Sequence, residues 1–210
     1  MKLKLLIIIL KVISTTYCYA NTDNNGFWWG TFTKKAIGDN YSFWAETQVR
    51  YNLSFGQVGQ ILYRTGLLSQ QNQNEWGLLY GYIQGNSSKE HRYTLQHIRS
   101  YSIIENLSLS SRIRYEFRDL ENIKDNASRL RILLRATIPY TNPLIIWNEY
   151  FINLNNVSWN GKYRFDRNRL FIGSQYKIHE SKIEYGYLNQ FTKRESENLM
   201  EHILVTYLNF

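Results

Sequence analysis

The sequence predicts an all-β protein, an antiparallel up-and-down transmembrane β-barrel of 10–12 strands. Period-two alternation of apolar and polar residues runs through almost the whole chain after residue 20, and such alternation is the signature of a two-faced strand. The alternating segments are mostly ten residues or longer. Tilted strands that cross a bilayer take about 9–11 residues, whereas strands of soluble proteins are most often five or six. A leader-like segment precedes them all.

Residues 1–20, MKLKLLIIILKVISTTYCYA, place Lys2 and Lys4 ahead of the apolar stretch Leu5–Leu10, and small and polar residues lead up to Ala20. This is the layout of a secretory signal peptide, with Cys18 at −3 and Ala20 at −1 of the cleavage site. The stretch is interrupted by Lys11 and is too short to span the hydrocarbon layer. Tyr17 before Cys18 argues against lipidation. Cys18 is the single cysteine of the chain, so residues 21–210, read as one barrel domain, carry no disulfide, thiol nucleophile or thiolate metal site. Loss of Lys2, Lys4 and Lys11 lowers the net charge from +8 to about +5.

Candidate strands follow at 27–36, 41–53, 57–68, 75–84, 89–103, 106–118, 127–138, 144–155, 167–178, 181–192 and 199–210. In 107–118, Leu107, Leu109, Ile113, Tyr115 and Phe117 oppose Ser108, Arg112, Arg114, Glu116 and Arg118. In 128–138, Leu130, Ile132 and Leu134 oppose Arg129, Arg131 and Arg135. Phe43, Ala45, Val49 and Tyr51 oppose Trp44, Glu46, Gln48 and Arg50, and Leu170, Ile172 and Tyr176 oppose Arg167, Arg169 and Gln175. Between the strands lie turn-like connections at 38–40, 104–106, 140–143 and 179–181 and longer polar ones at 69–74, 85–89, 121–126, 156–165 and 193–198. Short turns at one end and loops at the other suit an outer-membrane barrel. Bacterial single-chain barrels have an even number of strands, so ten or twelve is expected and 27–36 is the doubtful piece. The chain closes on Phe210, with Leu204, Thr206 and Leu208 on its face, which is similar to the C-terminal strand that outer-membrane barrels present to their assembly machinery.

Composition agrees with this architecture and narrows the function. A mean hydropathy of −0.44 excludes a bundle of transmembrane helices but not a barrel. Aromatic residues make up 16% of the chain, and Trp28, Trp29, Trp44, Trp76, Tyr80, Tyr82, Tyr93, Tyr101, Tyr140, Tyr185, Tyr187 and Tyr207 fall toward strand ends or on apolar faces. Trp29, Trp76, Tyr80, Tyr82, Tyr185 and Tyr187 are the candidate girdle at the membrane interfaces. A pI of 9.5 could signal nucleic acid, but the arginines recur at period two on strand faces rather than in a basic run.

Local pieces stand in a distinctive order: WAETQVRYN at 44–52, QILYRTGL at 60–67, WGLLYGYI at 76–83, RIRYEFR at 112–118, RLRILLRATIP at 129–139, NEYFINLN at 148–155, FDRNRLFIG at 165–173 and HILVTYLNF at 202–210. Their order and spacing resemble a family of bacterial proteins known as domain of unknown function 2490. Arg167 stands where a glutamine is expected. The resemblance implies an outer-membrane barrel without an assigned activity.

The candidate site is the inner face. Alternation assigns to it a charge network of Glu46, Arg50, Arg64, Glu90, Arg92, Arg112, Arg114, Glu116, Arg129, Arg131, Arg135, Glu149, Arg169 and Glu184. Such groups pair across strands and fill a narrow lumen, because an unpaired charge in low dielectric is very costly. The excess of arginine over glutamate raises a narrow anion-selective channel as an alternative. A lipid-modifying enzyme is a weaker one: His91, His97, His179 and His202 stand in no motif linked to a serine, and no spacing matches a metal site. A soluble lipocalin-like barrel would instead turn its apolar residues inward. The expectation is an outer-membrane monomer, exported by its signal peptide, held in lipid and assembled through Leu204, Leu208 and Phe210, with no catalytic residues, metal, cofactor or nucleic-acid partner.

Overall fold

A computed structural model describes residues 22–104 and 107–210; the leader segment 1–20 lies outside the described residues. Eleven strands form a closed barrel: β1 Thr22–Ala36, β2 Tyr41–Asn52, β3 Gln57–Gln71, β4 Asn74–Gly85, β5 Lys89–Ile104, β6 Leu107–Leu120, β7 Ala127–Ile138, β8 Leu144–Asn153, β9 Phe165–Ile178, β10 Ser181–Thr192 and β11 Leu199–Asn209. Each strand pairs antiparallel with its sequence neighbour.

The even count expected from sequence is therefore corrected to eleven, and residues 27–36 belong to a full strand. An odd number of antiparallel strands can close only if the first and last run parallel. β1 and β11 do so from Thr22↔Leu199 to Phe32↔Asn209. Parallel pairing is slightly weaker per residue, but closure leaves neither strand a free edge. Odd closure also puts the start of β1 and the end of β11 at opposite ends of the barrel.

The three longest connections, 121–126, 154–164 and 193–198, share one end of the barrel. At the turn end lie 37–40, 72–73, 139–143 and 179–180, where Asn72 (φ 52°) and His179 (φ 52°) adopt the left-handed conformation that tight hairpins require. At the loop end lie 53–56, 86–88, 121–126, 154–164 and 193–198. The expected loop at 69–74 is a correction: all but 72–73 of it is strand, and its turn joins the short ones. The longest connection, 154–164, packs over 121–126. Trp159 Nε1 donates to Asp125 O at 2.8 Å, Asn155 Nδ2 donates to Asn126 O at 2.8 Å, and Arg118 sits 4.8 Å from the Trp159 ring centroid.

Alternation decides the faces as expected, with apolar side chains exposed on the outside of the wall. Phe27 and Trp29 on β1, Leu67 on β3, Leu78 on β4, Leu95 on β5, Ile113 on β6, Leu134 on β7, Ile172 on β9, Tyr185 on β10 and Leu204 on β11 all lie open on it. The interior is mixed. Trp28, Leu133, Ile145, Trp147, Phe171, Leu188, Ile203 and Val205 form an apolar cluster inside, because a barrel this narrow fills its lumen with side-chain volume of any kind.

Gly173 and Gly186 face each other across β9 and β10. The Phe171 ring lies over both, and a Cβ on either would run into that ring and the facing backbone. Phe171 in turn stacks on Trp147, with centroids 5.0 Å apart and planes 13° from parallel. Gly186→Val is thus expected to displace Phe171 and cost about 1–3 kcal/mol. A urea midpoint equal to that of the parent in detergent would contradict this packing.

Candidate functional site

Five strands carry one continuous guanidinium–carboxylate network. Glu90 on β5 accepts from Arg92 (Nη2, 2.7 Å) and from Arg118 on β6 (Nε, 2.7 Å). Arg92 also lies 3.9 Å from Glu116, which is fully buried. Glu116 Oε2 accepts from Arg129 (Nη2, 2.7 Å) and its Oε1 accepts from Arg131 (Nη1, 2.7 Å), both on β7. Arg131 reaches on to Glu149 of β8 (2.8 Å), which also accepts from Arg112 (2.9 Å) and lies 3.7 Å from Arg169. Arg129 Nη1 donates to Asp166 of β9 at 3.0 Å, and Asp166 accepts from Arg167 as well.

Each carboxylate here serves two or three guanidiniums. That ratio suits a water-poor interior, since one acid with several donors is satisfied at both oxygens. Phe151, nearly fully buried, underlies the cluster: the guanidinium carbons of Arg129, Arg131 and Arg169 stand 5.0, 4.6 and 4.6 Å from its ring centroid. The ring's negative face offsets part of the positive charge that the acids leave uncompensated.

Two further groups stand apart from this network. Arg64 donates to Glu46 at 2.8 Å, and Arg50 donates to Gln60 (2.6 Å) and Gln48 (3.1 Å). Arg135 reaches across the lumen from β7 to Glu184 of β10 at 2.7 Å. All fourteen side chains assigned to the lumen from sequence face inward, and the structure joins eleven of them to a carboxylate or guanidinium partner within 3.3 Å. The remaining three are Arg50, Arg114 and Arg169, the last with Glu149 at 3.7 Å and with Gln190 accepting from its Nε at 2.6 Å.

Sequence reasoning missed Asp166, Phe151 and the inward aromatics. Trp28 and Tyr207, expected on the outer or interfacial surface, line the lumen instead, and Trp44, which alternation puts on the face of Glu46, lines it too. The girdle candidates Trp29, Trp76, Tyr80, Tyr82, Tyr185 and Tyr187 are on the outer face, all exposed except the half-buried Tyr82. Tyr80 pairs with His91 Nδ1 at 2.7 Å, His91 Nε2 lies 3.2 Å from Glu121, and Tyr187 pairs with His202. Among the described residues no group of His, Cys, Asp or Glu could hold a metal ion. At the C-terminal strand Leu204 and Phe210 are exposed and Leu208 is half-buried.

Two cavities remain inside the wall. One, about 450 Å³, lies toward the turn end, and the other, about 340 Å³, toward the loop end. Trp28, Arg50 and Arg169 line both. The guanidinium carbons of Arg50 and Arg169 stand 4.2 and 4.8 Å from the Trp28 ring centroid, so these three side chains meet at the boundary between the cavities. Gly26 and Gly30 flank Trp28 on the inner face of β1. A Cβ at Gly30 would lie 3.0 Å from Gln48 and 3.1 Å from Tyr207, so glycine there leaves room for the indole and its neighbours.

The model of the family described as protein of unknown function (DUF2490) matches residues 25–201. The chain belongs to the DUF2490 family. It is 28% identical over 193 residues to an uncharacterized protein of Methylorubrum extorquens, a match that covers 84% of this chain and 83% of that one. No solved structure matches. The family match spans ten strands in full or in part besides most of β1, so the charged lumen lies within the part of the chain that the family shares.

Proposed function

We propose that this DUF2490 protein is an integral outer-membrane β-barrel, a monomer, whose lumen is closed by its own side chains. The observation that carries this reading is the inversion of its faces. Leucine, isoleucine and aromatic side chains stand exposed around the outer wall, while Glu46, Arg64, Glu90, Arg92, Arg114, Glu116, Arg129, Arg131 and Glu149 are buried inside. A soluble ligand-binding barrel has the opposite arrangement, with its apolar residues turned in. Exposed apolar surface of this extent in water drives association, whereas in a bilayer it is matched to the acyl chains.

The gathering of the three longest connections at one end supports an orientation as well. Short turns face the periplasm and longer loops the exterior in barrels of this kind. On that basis the 154–164 loop with Trp159 caps the external end. Fractionation of expressing cells tests the reading. The protein is expected to sediment with outer membranes, to resist alkaline extraction, and to migrate faster on gels before boiling than after. Release into buffer without detergent would overturn it.

A further inference from the structure

The turn-end cavity carries more positive charge than the barrel itself neutralises. Among the described residues its lining includes eight lysine or arginine side chains and four glutamates. The surplus is concentrated on particular groups. Arg114 is only 5% exposed, yet no carboxylate lies within 4 Å of it among the described residues; its Nε donates to Gln96 at 2.7 Å. Its charged surroundings are dominated by like charge, from Arg112, Arg64 and Arg131. Arg50 likewise has amide partners rather than an acid. The buried Nε atoms of Arg50, Arg64 and Arg112 have no hydrogen-bond partner.

A buried guanidinium without a counter-ion is strongly unfavourable, and the rest of this lumen avoids it by sharing carboxylates. The pattern is that of a site completed by an anion from outside. Phosphate is the better match than a carboxylate, because it brings two negative charges and three acceptor oxygens to an arginine-rich wall. The space exceeds what a bare phosphate fills: at about 30 Å³ per water, the cavity corresponds to about fifteen water molecules. Its other wall is aromatic. Phe32 meets Tyr207 edge-on at 5.1 Å and Trp44 at 6.2 Å, and Trp44 lies 6.0 Å from the Arg64 guanidinium. A ring-sized body held against this wall would keep its charged group among the arginines.

We propose that the turn-end cavity binds a small organic phosphate, with the phosphoryl group on Arg114 and its neighbour Arg64, whose Nη1 donates to Glu46, and the organic body against Trp44, Phe32 and Tyr207. The ligand enters from the turn end, where Lys34 and Glu75 form an ion pair at the mouth. The site depends on the inside of the barrel and the membrane assignment on its outside, so the two fail independently.

Isothermal titration calorimetry of the folded barrel in detergent tests the proposal, with glucose 6-phosphate, inorganic phosphate and glucose as probes. Glucose 6-phosphate is expected to bind tightest, inorganic phosphate more weakly, and glucose not at all. Arg114→Gln, checked for folding by its unboiled gel mobility, is expected to weaken glucose 6-phosphate about tenfold or more, as loss of a charge-assisted fork should. Arg194→Gln, which removes the same charge from the loop-end cavity, is expected to leave the affinity unchanged. Absence of binding by both phosphate probes at millimolar concentration would overturn the proposal. So would wild-type affinity in Arg114→Gln, or equal affinity for inorganic phosphate and glucose 6-phosphate.

Discussion

Glu116→Gln is expected to lower the stability of the barrel by about 3 kcal/mol, the low end of the range for breaking a buried ion pair. Glu116 is fully buried and accepts from Arg129 and Arg131, with Arg92 at 3.9 Å. The amide keeps the shape and removes the charge, leaving three guanidiniums facing one another. The loss is contained because Arg129 keeps Asp166 and Arg131 keeps Glu149. A second substitution separates charge from packing. In Glu116→Gln/Arg129→Met the excess cation is gone, and Asp166 retains Arg167, so the double variant is expected to be more stable than Glu116→Gln alone. Urea unfolding in detergent, followed by gel mobility, reads both. A Glu116→Gln midpoint equal to the parent's would mean that the lumen is hydrated enough to screen these charges.

Trp28→Ala is expected to turn a closed barrel into an anion-selective one. The indole, in contact with Arg50 and Arg169, lines both cavities at their boundary, and its removal leaves both arginines at the opening. A constriction ringed by guanidinium favours anions. In planar bilayers the parent is expected to show no current steps above baseline, and the variant to show steps whose reversal potential in a salt gradient lies toward that of chloride. The variant also loses buried contacts worth about 3–5 kcal/mol, so unboiled gel mobility must first show that it folds. Steps in the parent, or a silent but folded variant, would place the barrier elsewhere.

Much of this architecture is visible in the amino-acid order, and the omissions have physical causes. Arg112–Glu116 and Arg129–Arg135 alternate with leucine, isoleucine and tyrosine so regularly that only one face can be the inside, and the network sits where that parity puts it. Parity is a weaker guide where both neighbours are aromatic. In Phe27-Trp28-Trp29 either tryptophan could face lipid, and the deciding signal is the glycine on each side of Trp28, at 26 and 30, which marks the inner face as the crowded one. The interior position of Tyr207 is hidden for a related reason: a ring suits either an interface or a space-filling role beside arginine.

Asp166 escaped because it breaks the alternation. The register between β8 and β9 shifts at Phe151/Ile152, next to the point where Phe165 and Arg167 pair, so counting by twos from Arg169 passes over it. The strand number shows a different limit. The pattern shows eleven segments, and the preference of bacterial single-chain barrels for even counts points instead to ten or twelve. What reverses that preference is the pairing of β1 with β11, a contact between the two ends of the chain that no local pattern can display. For the same reason the ion pairs between strands two or three apart, Arg129–Asp166 and Arg135–Glu184, depend on curvature and not on sequence spacing.

The claim that the exposed apolar wall faces lipid is tested most directly by fluorescence quenching from within the bilayer. The chain's one cysteine is Cys18, so in a Cys18→Ser background single cysteines can be placed at Leu95, Leu134, Ile172 and Leu204, which are exposed on four strands around the circumference, and at Ser87 in a loop. Each is labelled with bimane and reconstituted in vesicles whose acyl chains carry bromine. Strong quenching at all four wall positions, with Ser87 unquenched, is the expected result. Wall positions as bright in brominated as in ordinary lipid would contradict the account.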